Sequence, residues 1–223
     1  MSLIEVRQLS RHTRLGLWRM DEPFAGKPRE REREAVKRLL NVMMDDGRDY
    51  FVGHQESGKP FVSVMTEEGP QALHDWRISV SHTHGYAAIL LSDEELVGLD
   101  IERRTDRVAG IASRFIRPDE QADSIERQLL IWSAKEAVYK LFSEENLHFF
   151  DMRVKSVDGA TLLVENLKRQ AATAGQGPAE KAAEAAEVGA AIVEVEYEFT
   201  DDYVLTYTIL AHQDRQPCTI ACG

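Results

Sequence analysis

The segment Val97-Gly98-Leu99-Asp100-Ile101-Glu102 is answered further along by Trp132-Ser133-Ala134-Lys135-Glu136-Ala137-Val138-Tyr139-Lys140. The first predicts a strand, and alternate residues of a strand share a face, so Asp100 and Glu102 point together. The second predicts a helix. With Trp132 at zero and roughly 100° per residue, Glu136 falls at about 40°, Lys140 at about 80° and Lys135 at about −60°. Leu130, Ala134, Ala137 and Leu141 fall on the opposite side and supply an apolar face for a core. Acids in an apolar strand are costly to bury unless paired or bound to metal. If strand and helix meet, three carboxylates and two lysines can converge. That set suits a hard divalent cation together with phosphate, in the manner of Mg²⁺. Asp100 and Glu102 alone fit equally well a strand end meeting Arg103 or Arg104.

The chain has 223 residues, 43% of them hydrophobic and 29% charged, which is ample for a core in one large domain or two small ones. It holds no run of about 18 apolar residues, so no membrane span is expected. The N-terminus lacks the basic-then-apolar pattern of a secretory leader, and a cytoplasmic location is expected. Cys218 and Cys222 match no common zinc or redox spacing and read as two reduced thiols. A net charge of −11 argues against general nucleic-acid binding. Between Ile101 and Pro118, however, Arg103, Arg104, Arg107, Arg114 and Arg117 face only Glu102 and Asp106, a local +3. This run suits either an acidic partner or an ordinary solvated surface.

Strands are predicted at 15–20, 61–65, 77–81, 86–91 and 97–102. Pro28 opens a charged helix with Val36, Leu39, Leu40 and Met43 as its buried stripe. Residues 111–115 and 124–142 read as helical. Two hairpins follow, 152–157 with 161–164 about Asp158-Gly159, and 192–199 with 203–210. Residues 165–191, rich in Ala, Glu, Gly and Gln, read as an exposed insertion, either a loop or a short helix over 179–188. Strands and a helix thus recur in two halves meeting near residue 105.

Ser81-His82-Thr83-His84-Gly85 places a hydroxyl, two imidazoles and a permissive backbone at a strand end, which suits a phosphate-binding corner. A surface turn with incidental histidines fits the same residues, and a transition-metal pair lacks a third ligand nearby. Lys59 sits in the rigid turn Gly58-Lys59-Pro60. Lys135 and Lys140 also fit solvated helix positions, with Lys140 pairing to Glu136 one turn away.

Together these pieces resemble the 4′-phosphopantetheinyl transferases of the large, surfactin-synthetase-activating (Sfp-like) type. The resemblance rests on Gly58-Lys59-Pro60, Ser81-His82, Gly98-Leu99-Asp100-Ile101-Glu102 and Trp132 to Lys140, in that order, over about residues 55 to 142. It implies an α+β, internally duplicated, pseudo-dimeric fold, each half a small antiparallel sheet packed with helices. The halves would be 1–105, on the coenzyme A 3′-phosphate side, and 106–223, carrying the metal and pyrophosphate helix and the carrier-protein side. The implied reaction moves the 4′-phosphopantetheine arm of coenzyme A to a serine of an apo carrier protein, releasing adenosine 3′,5′-bisphosphate. A coenzyme A or nucleotide binding module that has lost turnover is the alternative.

By position in the resemblance, Asp100, Glu102 and Glu136 are implied Mg²⁺ ligands. His82 and Lys59, with Pro60, are implied contacts of the 3′-phosphate. Ser81 and Lys140 are implied pyrophosphate contacts, with Lys135 close by. Glu120, beside Asp119, is implied as the general base, and Lys140 and Glu136 complete the catalytic set. Arg38 is the best match for a coenzyme-phosphate arginine, with Arg33 also open. The arginine run would dock an acidic carrier, and a duplicated chain is expected to act as a monomer.

Overall fold

The computed structural model describes residues 2–21, 24–169 and 191–211. Two strands, β1 (Ser2–Gln8) and β2 (Thr13–Arg19), precede helix α1 (Pro28–Met44). A three-stranded meander follows: β3 (Tyr50–His54), β4 (Pro60–Thr66) and β5 (Gly69–Leu73). Then come β6 (Arg77–Thr83), β7 (Tyr86–Ser92) and β8 (Leu96–Arg103), and a 3-10 segment at Asp106–Arg114. Helix α2 (Ile125–Leu141) leads through a 3-10 turn at Phe149–Asp151 to β9 (Met152–Asp158), β10 (Thr161–Asn166), β11 (Ile192–Phe199) and β12 (Tyr203–Leu210). The fold is thus a mixed α/β arrangement of antiparallel sheets with few helices. Among the described residues, no helix is long and apolar enough to cross a membrane.

The strands form three antiparallel sheets, ordered β1-β2-β7-β6, β3-β4-β5 and β8-β12-β11-β10-β9. Strand alternation explains how they stack. On one side of β7, Ala87, Ile89 and Leu91 meet Ala35, Val36, Leu39, Leu40 and Met43 of α1, with Val62 and Val64 of β4 beyond. On its other side, Ala88 and Leu90 pack with Leu15, Leu17, Leu99, Ile101, Leu205 and Tyr207. Every residue of β7 is consequently buried. The two larger sheets lie face to face, with α1 and α2 on the outside. Burying each of these Leu or Ile side chains stabilises the fold by about 1.5–3 kcal/mol.

In β8 the same alternation turns Leu99 and Ile101 toward β7 and leaves Gly98, Asp100 and Glu102 on the side of α2. A side chain at Gly98 would collide with the Ala137 carbonyl and meet Leu141 Cβ at 3.0 Å. Glycine therefore lets the helix approach the strand that carries the acids. At their edges the two larger sheets are spliced by hydroxyls of β6. Ser79 Oγ accepts from Leu99 N–H at 3.0 Å, Thr83 Oγ1 accepts from Arg103 N–H at 3.1 Å, and Ser81 Oγ donates to Asp100 Oδ1 at 2.8 Å.

Several expectations shift. β8 pairs along its whole length with β12, so the strand belongs to the same sheet as β9 to β12. Strands β1, β3 and β5 were not foreseen. The helix expected over 111–115 is a 3-10 segment that begins at Asp106 and stops before Phe115. Glu165 and Asn166, expected in the exposed insertion, are buried at the end of β10, where Glu165 pairs with Arg153. Residues 170–190 of the expected insertion, and the two cysteines, lie outside the described residues.

Candidate active site

The site is built where β8, the edge of β6 and α2 meet. Asp100, only 3% exposed, accepts from Ser81 Oγ at 2.8 Å, Ser133 Oγ at 3.0 Å and Lys140 Nζ at 2.8 Å. Lys140 also donates to the Leu99 carbonyl at 2.9 Å, so it ties the helix to the strand and takes Asp100 rather than Glu136 as its carboxylate partner. Thr206 of β12 donates to the Ser133 carbonyl at 2.9 Å, fixing that turn of α2. Glu102 accepts from the Trp132 indole N–H at 2.8 Å.

Glu136 completes the acidic set, and no hydrogen-bond or ion-pair partner is recorded for it among the described residues. Burial, followed by the charge of Asp100, pushes its carboxyl up to about 7, and Lys140 only partly offsets this. Burial and Asp100 also raise Glu102, against the Trp132 hydrogen bond. The three acids are therefore close enough to repel one another. Among the described residues, no three acid, His or Cys side chains converge tightly enough to hold a metal as they stand. Asp100 and Glu102 are committed to protein donors, whereas Glu136 has no such donor among the described residues. The donor set is nonetheless of the hard-oxygen kind, and its excess negative charge is what a divalent cation would relieve.

Two clefts flank this cluster. The larger, about 830 Å³, is lined by Lys59, Pro60, His82, Tyr139 and Lys140 among others, with Arg77 and Arg169 also on its walls. Lys59 donates to Glu144 at 2.6 Å, and His82 is exposed, 3.7 Å from Glu32 of α1. The smaller, about 590 Å³, is lined by His84, Glu102, Arg103, Arg107, Val108, Ile111, Leu129 and Trp132.

Three expected site residues stand elsewhere. Lys135 does not join the polar face of α2: it is fully buried, donating to the Phe115 carbonyl at 2.7 Å, the Phe149 carbonyl at 3.3 Å and Glu120 at 2.8 Å. Burial pulls its ammonium below the usual lysine range, with Glu120 opposing. Glu120 has no exposed side-chain surface; it also accepts from Arg117 N–H and Val154 N–H. A general base must come within hydrogen-bond reach of the hydroxyl it serves, and here the Glu120 carboxylate is held instead by Lys135 and two backbone N–H groups. Arg38 pairs with Glu34 on the exposed side of α1 and lines neither cleft. In the arginine run, Arg104 is occupied by Glu126 and the Thr200 carbonyl, and Arg117 by Asp119 and the Phe150 carbonyl. Arg103, Arg107 and Arg114 are exposed.

Gly98, Ser133 and Thr206 were missed. Gly98 and Ser133 sat inside the motifs already quoted, but only the packing of α2 on β8 and β12 gives them work.

A family model of the 4′-phosphopantetheinyl transferase superfamily matches residues 96–208, the span from β8 to β12 that carries all three acids. The chain belongs to this superfamily. It is accordingly a transferase, of the group that moves phosphopantetheine to carrier proteins. A search of curated proteins finds no match. In this phosphopantetheinyl transferase the matched span starts at Leu96, where the C-terminal sheet starts, and leaves α1, Lys59 and His82 outside it.

Proposed function

We propose that this phosphopantetheinyl transferase is of the large, surfactin-synthetase-activating type, transferring the arm of coenzyme A to a carrier serine with Mg²⁺ and releasing adenosine 3′,5′-bisphosphate. The single observation that supports the proposal is that two clefts open next to one acid cluster. Lys140 lines the larger cleft and Glu102 the smaller; Asp100 binds Lys140 and lies two residues from Glu102 on β8. Coenzyme A occupies the larger, with Lys59 and His82 on its 3′-phosphate and Lys140 toward the pyrophosphate. The carrier approaches the smaller, where Arg103 and Arg107 meet its acidic surface.

Asp100, Glu102 and Glu136 would hold Mg²⁺, which neutralises charge on the pyrophosphate when bound. The serine oxygen forms a bond to the β-phosphorus, and the bond from that phosphorus to the bridging oxygen breaks. Lys140 offers a fixed cation to the phosphate oxygens during this exchange. With Glu120 sealed, a Glu136 carboxylate oxygen not taken by the cation would accept the serine proton, since Glu136 has no committed protein donor among the described residues.

The two halves extend this proposal to an internally duplicated pseudo-dimer acting as a monomer. One antiparallel sheet carries α1, another carries α2, and they meet where β6 lies against β8. The test is to incubate the protein with apo carriers, coenzyme A and Mg²⁺ and to weigh the carriers. A gain of one phosphopantetheine is expected, and Asp100→Ala should abolish it. No gain on any carrier encoded in the same genome rejects the assignment.

A further inference from the structure

Lys135 and Glu120 were expected to touch substrate, yet they form a fully buried ion pair on the inner side of α2. What Lys135 holds there is specific. Besides Glu120, its ammonium donates to the backbone carbonyls of Phe115 and Phe149, at 2.7 and 3.3 Å. These are the two residues whose rings enclose Trp132. Phe115 meets the indole edge-on with centroids 5.1 Å apart, and Phe149 meets it at 4.9 Å with a tilt of 33°. The two rings also touch each other, at 6.3 Å and 66°. Trp132 in turn donates its one N–H to Glu102 at 2.8 Å.

Glu120 anchors the other ends of the same two segments. One carboxylate oxygen accepts from Val154 N–H at 2.7 Å, just after the Phe149 turn, and the other from Arg117 N–H at 2.8 Å, just after Phe115. The pair therefore clamps both aromatic-bearing segments to α2 at one point. An exposed ion pair would do little of this, but a sealed one with all three ammonium protons and both carboxylate oxygens engaged is rigid, and losing one partner leaves a buried charge alone.

We propose that the Lys135–Glu120 clamp is a positioning device: it fixes the Phe115 and Phe149 rings against Trp132, and so sets the direction of the indole N–H that holds Glu102 in the active site. The inference rests on Glu102 belonging to the reactive cluster, as proposed above. It makes Lys135 and Glu120 positioning residues that never touch coenzyme or carrier, and it gives Trp132 a task beyond filling the wall of the smaller cleft.

The test is a double-mutant cycle between Lys135→Met and Trp132→Phe, read in two ways. The first readout is independent of activity: the protein is labelled with 5-fluorotryptophan, and the fluorine resonance of Trp132 is assigned by its loss in Trp132→Phe. In Lys135→Met this resonance should shift and broaden, while those of Trp18 and Trp76 hold. The second is the Mg²⁺ dependence of transfer. Each single variant should raise the half-saturating Mg²⁺ concentration about tenfold with KM for coenzyme A within about twofold, and the double variant should add no more than about threefold. An unmoved Trp132 resonance in a folded Lys135→Met protein overturns the proposal. So do losses that multiply in the double variant, or a rise confined to KM for coenzyme A, which would put Lys135 on the coenzyme after all. If Lys135→Met does not fold, the same cycle is run with Glu120→Gln, which keeps shape and one acceptor, and the same outcomes decide. If no carrier is ever modified, the fluorine readout still settles whether the clamp holds Trp132.

Discussion

Ser81 Oγ donates to Asp100 Oδ1 at 2.8 Å, from the edge strand of one sheet to the edge strand of the next. The bond is both structural and local to the site. It belongs to the hydroxyl row of Ser79, Ser81 and Thr83 that splices the sheets, and it is one of three bonds that hold Asp100. Ser81→Ala removes one of them and leaves Ser133 and Lys140 in place. We expect a stability loss of about 1 kcal/mol in urea titration, together with a clear fall in transfer. Unchanged turnover in a destabilised protein would assign Ser81 to the splice alone.

Glu136 gives a pH dependence whose sign is fixed. Its folded carboxyl lies at about 7, above the ordinary 4.5, so the folded state holds this proton more tightly than the unfolded chain does. Stability from this group is therefore highest below about pH 4.5 and is lost as pH rises through about 7. Glu102, raised in the same direction, adds to the slope. With solvent access and Lys140 allowed for, the loss is about 1–2 kcal/mol. Glu136→Gln should flatten the slope and raise the melting temperature at pH 8 in chelator while abolishing transfer. Added Mg²⁺ should raise the wild-type melting temperature and leave that of Glu136→Gln unmoved. A variant no more stable than wild type at pH 8 contradicts the cluster of repelling acids.

Much of this arrangement was legible in the sequence, and the failures have physical causes. Strand alternation placed Asp100 and Glu102 on one side of β8, and helical spacing placed Glu136 and Lys140 on one side of α2. The same wheel put Lys135 on that polar side, because a wheel records angle and not what lies beyond the helix. Carbonyls of Phe115 and Phe149, brought up by distant chain, close over Lys135 and supply the partners that burial demands. α2 is buried around most of its circumference, so its amphipathy could not mark the core side. β5, with Gly69 and Pro70 in five residues, has little strand preference of its own and exists through pairing with β4. The hydroxyl row of β6 was visible as residue types, but its partner strand was not.

Gly98→Ala tests the approach of α2 to β8. The added methyl would strike backbone at Ala137 and lie 3.0 Å from Leu141 Cβ, and neither is the free end of a flexible side chain. The helix must move outward, which costs about 1–3 kcal/mol and carries Glu136 and Lys140 away from Asp100. We expect a lower melting temperature and a transfer rate that falls more steeply than KM for coenzyme A rises. Wild-type kinetics in Gly98→Ala would mean that the close approach does not set the site.

Lys59 and His82 line the larger cleft from different sheets, and each pairs with an acid on another element, Glu144 and Glu32. If both grip the 3′-phosphate, Lys59→Ala and His82→Ala should raise KM for coenzyme A about tenfold each while kcat changes little. The discriminating substrate is dephospho-coenzyme A, which lacks that phosphate. The wild type should use it about as poorly as the variants use coenzyme A, and the variants should lose little further. Equal losses on both substrates would move Lys59 and His82 to another part of the coenzyme.

Arg103 and Arg107 are the last pair to separate from their neighbours. Arg104 and Arg117 spend their guanidinium groups on Glu126, Asp119 and backbone carbonyls, so reversing them would damage the fold before it touched a partner. Arg103 and Arg107 instead line the smaller cleft with Glu102, Val108 and Ile111. Arg103→Glu and Arg107→Glu should leave the melting temperature and KM for coenzyme A unchanged. The carrier KM should rise about tenfold or more, and its dependence on ionic strength should shrink, since steering of an acidic partner is screened by salt. A carrier KM indifferent to both reversals would place the carrier on another face, and the exposed Arg114 would be the next position to reverse.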